Sequence, residues 1–269
     1  MTEPPSTFGR ADSPAAVPKR DLLGVPIALT DYAGAMEVMD GMIERRERGY
    51  VCAIAVHALM VGYEDAEMHT ALLGSSLVVP DGRPLVWALS RLGHRLPDRV
   101  YGPELMARYC RRAAERGHRV WLYGGYDEAA LEQLVAVLED RYPGIRIAGG
   151  YSPPHRTMTA DEESELANRI NTDAPDVVWV GVGVPKQEKW MAHMRPRLDP
   201  PLLVGVGAAF DFEAGLKRQA PSWMQRRGLE WLFRLSQEPR RLGPRYLRYN
   251  PRFVAAFLRQ YLRERRRVP

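Results

Sequence analysis

The chain has 269 residues, 45% of them hydrophobic and 26% charged, with a formal net charge of +5 and a pI near 9.3; this is a globular composition, with apolar content enough for a core in one large domain or two small ones. Two cysteines, Cys52 and Cys110, have no histidine at metal-ligand spacing, so they read as packed thiols of a reduced, cytoplasmic protein rather than a disulfide or a metal site. No run reaches about eighteen apolar residues, which argues against a spanning helix and leaves surface attachment open.

Residues 1–20 hold four prolines and no apolar segment of signal-peptide length, and read as a disordered leader. DLLGVPIAL, from Asp21, is a short strand-like run. Residues 30–48 have helical spacing, with Met36, Met39 and Met42 on the core side. YVCAIAVHAL reads as a buried strand. In SSLVVPDGRPLVWALSRLG a strand ends at Pro80, and Asp81-Gly82 turns into a helix. That sets a carboxylate at the carboxyl end of a strand, the edge where open α/β sheets bind ligands.

Arg99 to Gly102 precede a helix reaching about Arg116, and HRVWLYGGYDEAALEQLVAVL reads as strand, Gly124-Gly125, helix. Glycines there let a backbone approach a phosphate or sugar, and a plain tight turn accounts for them equally well. IRIAGGYSPP, DVVWVGVGVPKQEKWM and LLVGVGAAF supply three further strands. Strands alternating with helices imply an α/β fold with a mainly parallel sheet.

The charge is not spread evenly. From Arg226 to Arg267 there are thirteen arginines against three acids, a local excess of ten, so the rest of the chain carries −5. Large apolar groups such as Trp231, Phe233, Leu242 and Tyr246 are interleaved with them, unlike a purely solvated run. Four readings stay open for this segment: binding nucleic acid through charge alone, attachment to a membrane surface, neutralising a departing diphosphate, and a merely solvated basic helix. For the membrane reading, Phe253, Phe257 and Tyr261 are spaced four apart on one helical face. Elsewhere, Asp81 is either a capping aspartate or a general base. The PKQE segment at Gln187 is either a ligand loop or an ordinary helix start. Asp211 and Glu213 would share one side of an extended segment, but they lack a companion ligand, so no metal is assigned. The six histidines are scattered and none is given a role.

PDGRPLVW, RVYGPELM, GVGVPKQEKWM, GVGAAFDFEAG and APSWMQRRGLEWLFRLSQEPRRL together resemble the WecG/TagA/CpsF family of glycosyltransferases, from roughly Asp21 to Phe257. The resemblance implies a Rossmann-like sheet flanked by helices, with a basic helical appendage; the expected division is 1–20 leader, 21–225 catalytic domain and 226–269 appendage. It implies a metal-independent, cofactor-free, inverting enzyme on the inner face of the cell membrane. Such an enzyme moves an N-acetylmannosamine-type or uronic acid-type sugar from a UDP-sugar to a polyprenyl-diphosphate-linked sugar; no nucleic-acid partner is expected, because the basic residues are mixed with bulky aliphatic ones and no RNA-stacking motif is recognisable. Carried over by residue, the base falls on Asp81 and the substrate-binding groups on Arg99, Gln187, Arg234 and Arg241, with Arg245 and the Gly124-Gly125 turn as further candidates. Two departures stand out: Ala53-Ile54-Ala55 replaces the family's Thr-x-Asn, and Pro244-Arg245 stands where two basic residues are common. They leave as the alternative a non-catalytic protein that binds a nucleotide-sugar or a membrane surface.

Overall fold

A computed structural model of the chain describes residues 17–221, 223–224 and 227–266. The leader through residue 16, and Arg226 at the start of the expected appendage, lie outside them. The structure begins with a hairpin, β1 (Lys19–Leu22) and β2 (Val25–Ala28), paired antiparallel. Two corrections follow. DLLGVPIAL is not one strand, because Leu23 and Gly24 take φ of 54° and 87°, the left-handed pair that a two-residue hairpin turn demands. Lys19 and Arg20 belong to the fold rather than the leader, since both pair with β2 and Arg20 forms an ion pair with Glu264.

The main sheet has six parallel strands in the order β4-β3-β8-β7-β5-β6. In chain order these are β3 (Gly49–Ile54), β4 (Leu77–Pro80), β5 (Arg119–Gly124), β6 (Arg146–Tyr151), β7 (Val177–Gly181) and β8 (Leu202–Gly205). Helices α1 (Tyr32–Glu44), α5 (Gly102–Arg116), α6 (Glu128–Arg141) and α9 (Ala209–Glu213) cover one face. The other face carries α2 (Val56–Glu64), α3 (Ala66–Leu73), α4 (Arg83–Arg91), α7 (Ala160–Asp173) and α8 (Lys186–Met194). Strand alternation divides the core: Cys52, Val178 and Leu203 point to the second face, Val51, Trp179 and Val204 to the first. YVCAIAVHAL is only half strand. It breaks at Ala55, and His57 lies in the first turn of α2.

Beyond α9 the described residues form α10 (Glu230–Gln237) and α11 (Pro239–Arg265). Phe253 and Phe257 of α11 are fully buried with α2, α4 and the hairpin, Phe257 lying 5.3 Å from the Trp87 ring. Gln260 accepts a hydrogen bond from the Leu23 amide at 2.9 Å. The aromatic face read from the sequence as a membrane face is therefore packed on protein, since an apolar helix stripe is satisfied by any dry surface and the hairpin supplies one. The exposed apolar stripe of α11 is the neighbouring one: Leu247, Val254, Leu258 and Leu262. No helix among the described residues is long and apolar enough to cross a membrane.

Candidate active site

Asp81 stands just past β4. Its amide donates to Ile54 O at 2.9 Å, and its Oδ2 accepts from the amide of Gly102, the first residue of α5, at 3.0 Å. Strand pairing and a helix N-terminus thus fix both the backbone and the carboxylate. Burial pushes the Asp81 carboxyl up to about 6, against the pull of Arg99 and the Gly102 amide, while Glu230 pushes it further up. Such a group is ionised at neutral pH and more basic than a solvated aspartate, as a general base requires.

Two cavities meet at this carboxylate. The first, about 310 Å³, has apolar walls from Pro84, Trp231, Leu242, Tyr246 and Tyr249. The second, about 350 Å³, is lined by strand-end and loop groups, among them Gly181, Gly183, Gln187, Gly207 and Lys217. Ala55, His57, Asp81, Arg234 and Arg245 line both. Arg241 faces only the second and is ion-paired with Glu238. The second cavity thus brings three arginines of the appendage to the carboxyl edge of the sheet.

Arg99 lines the first cavity, but its guanidinium forms an ion pair with Glu230 of α10, both side chains being about nine-tenths buried. It also lies 4.3 Å above the Tyr101 ring. Arg99 therefore couples the sheet edge to the appendage. Gln187, at the start of α8, is buried with both ends of its amide engaged: Nε2 donates to Glu188 Oε1 at 2.8 Å, and Oε1 accepts from the Gly207 amide at 2.9 Å. The loop after β8 is held by this second bond. Burial pushes fully buried Glu188 up to about 7, against its bond from Gln187, and its Oε2 has no hydrogen-bond partner among the described residues.

Gly124 and Gly125 line neither cavity. A Cβ on Gly124 would stand 3.0 Å from the Gly181 backbone and from the Phe210 ring, and Gly125, at φ 104°, leads into α6. The close approach these glycines permit is made to the protein itself. Asp211 and Glu213 lie on helix α9, not on an extended segment, and are ion-paired with Lys217 at 2.7 Å and Arg141 at 2.5 Å. Helical geometry sends them to different neighbours, so they form no common ligand pair.

Sequence reasoning missed His57 and Glu230. His57 falls inside an apolar run whose break at Ala55 carries no glycine, proline or capping side chain. Glu230 is 131 residues from its partner Arg99, beyond any local pattern.

Residues 20–267 match the model of the glycosyl transferase WecG/TagA/CpsF family. An N-acetylglucosaminyldiphosphoundecaprenol N-acetyl-beta-D-mannosaminyltransferase of Staphylococcus aureus strain MW2 is 29% identical over 229 residues, 84% of this chain and 87% of that protein. A Bacillus subtilis strain 168 protein of the same name is 28% identical over 197 residues, 73% of this chain and 75% of that protein.

Proposed function

We propose that this chain, a glycosyltransferase that belongs to the WecG/TagA/CpsF family, moves an N-acetylmannosamine-type sugar from a UDP-sugar to a polyprenyl-diphosphate-linked sugar in cell-surface polysaccharide synthesis. The names of the two relatives favour this donor type over a uronic acid and favour an acceptor carrying N-acetylglucosamine. The observation that carries the reading is the meeting of two unlike cavities at Asp81. The polar cavity at the strand ends suits the nucleotide diphosphate, and the apolar one, walled by Trp231 and Leu242, suits the lipid-linked acceptor.

In this reading the acceptor hydroxyl attacks the anomeric carbon while Asp81 takes its proton, and the bond from that carbon to the diphosphate oxygen breaks with inversion. The electron pair leaves with UDP. Arg234, Arg241 and Arg245 meet the developing charge, the role a divalent cation fills in other transferases. The exposed α11 stripe of Leu247, Val254, Leu258 and Leu262, flanked by arginines, would hold the enzyme on an anionic membrane surface on the cytoplasmic side, where the acceptor is presented.

The test supplies the purified chain with UDP-N-acetylmannosamine and undecaprenyl-diphosphate-linked N-acetylglucosamine, and follows UDP release and the disaccharide product by mass spectrometry. Product at the expected mass supports the reading. Tight UDP-sugar binding with no product from any donor in a panel would favour a non-catalytic binding protein, the outcome to which Ala53 and Ala55 point.

A further inference from the structure

His57 lines both cavities beside Asp81, Arg234 and Arg245. Its ring meets Tyr249 edge-on, with centroids 5.0 Å apart and planes at 76°, which fixes the orientation of the imidazole. Nδ1 is buried, and no protein group bonds either ring nitrogen among the described residues. With no hydrogen-bond partner for the enclosed Nδ1 among the described residues, the proton is assigned to Nε2, the ring nitrogen that is not enclosed, and His57 becomes a donor available to whatever fills the junction.

We propose that His57 is a sugar-binding residue, donating from Nε2 to a hydroxyl or acetamido oxygen of the transferred sugar where the two cavities meet. The proposal rests on the reading of this site as a transferase centre. Burial, Arg245 and Arg241 together lower the imidazole to about 4, so the ring is neutral in the working range of the enzyme. A neutral single donor suits an uncharged sugar oxygen. The diphosphate has the three arginines, against which a neutral imidazole competes poorly. The chain at and just past the end of β3 contributes only methyl groups here, Ala53 and Ala55. His57, two residues beyond Ala55, supplies the polar group which that strand end lacks.

The experiment uses the full chain labelled with ¹⁵N-histidine, the His57 signal being assigned from its loss in His57→Gln. UDP-N-acetylmannosamine should move the His57 Nε2 signal and UDP alone should not. In parallel, His57→Ala should raise KM for UDP-N-acetylmannosamine about tenfold, as one lost hydrogen bond does, with the affinity for UDP unchanged; His57→Gln, which keeps a neutral N–H donor, should recover most of the loss. Equal movement with UDP alone, or an equal loss of UDP affinity in His57→Ala, would assign the contact to the diphosphate and overturn the proposal. A signal that moves with neither ligand overturns it too. The spectra need no turnover, so they decide the role of His57 even if the chain transfers no sugar.

Discussion

Asp81 and Arg234 face the same two cavities, but they are placed by different means. The carboxylate sits between a strand end and a helix N-terminus, fixed by backbone hydrogen bonds at 2.9 and 3.0 Å. The arginines of the appendage depend on how α10 and α11 settle on the domain, through Phe253, Phe257 and the ion pair of Arg99 with Glu230. Backbone-fixed groups keep their geometry when one side chain changes, whereas packing-fixed groups move with their supports. On the proposed roles, mutation can therefore separate proton removal, assigned to the sheet edge, from stabilisation of the leaving group, assigned to the appendage.

The sharpest test is Asp81→Asn. The amide oxygen can still accept from Gly102, so fold and UDP affinity should persist while turnover falls about 10²-fold or more. In the unmodified chain, kcat/KM should rise with pH through about 6, because the carboxyl raised there must lose its proton to act. Unchanged turnover in the variant, or a flat profile across that range, would remove Asp81 from the chemistry.

Glu230→Ala attacks the link between the two regions. It leaves Arg99 buried without its partner, a loss of roughly 3–5 kcal/mol by analogy with broken buried pairs, readable by denaturant unfolding. It also removes a negative charge that raises Asp81, so the rising limb of the pH profile should move below 6. A variant as stable as its parent, with an unmoved limb, would show that the appendage is held by its apolar contacts alone.

This division also explains what the sequence made legible. The parallel sheet and the strand-end carboxylate could be read from alternation and from Pro80-Asp81-Gly82, because such positions are set by local chain geometry. The appendage arginines were placed through the family resemblance rather than by any spacing of their own, and the structure brings Arg234, Arg241 and Arg245 together by tertiary packing. The same limit misassigned Phe253 and Phe257, since an amphipathic period marks a dry face without naming what dries it. Gly124-Gly125 left two readings open for a different reason: glycine signals a close approach, here to Gly181 and Phe210, and not the chemistry of what approaches, so a ligand loop and a tight turn look alike in sequence.

A third prediction sharpens the sheet side. Glu188, near 7 when folded against 4.5 for a free carboxyl, holds its proton longer in the folded chain than in the unfolded one. Its stabilising contribution is therefore complete below about 4.5 and is lost as pH rises through 7, a change of roughly 3 kcal/mol. Glu188→Gln keeps an acceptor for Gln187 and cannot ionise, so its unfolding free energy should stay nearly flat between pH 5 and pH 8 relative to the parent. Parallel curves for the two proteins would show that Glu188 is not the titrating group.

The smallest expected effect concerns the outer side of α11. Removing residues 245–269 would be a poor test of membrane attachment, because it takes Phe253 and Phe257 out of the core. Leu258 and Leu262 are 46% and 53% exposed, and changing both to glutamate leaves the packed stripe alone. If the outer stripe and its arginines lie against an anionic bilayer, Leu258→Glu with Leu262→Glu should weaken binding to phosphatidylglycerol-containing vesicles about tenfold, through lost apolar insertion and added repulsion. Raised salt should weaken the parent as well, by screening the arginines. Turnover on a soluble acceptor analogue should hardly change, since neither leucine lines a cavity, whereas turnover on a lipid-linked acceptor in vesicles should fall with binding. Vesicle binding equal to that of the parent would leave the stripe a solvated helix face and confine the appendage to the leaving group.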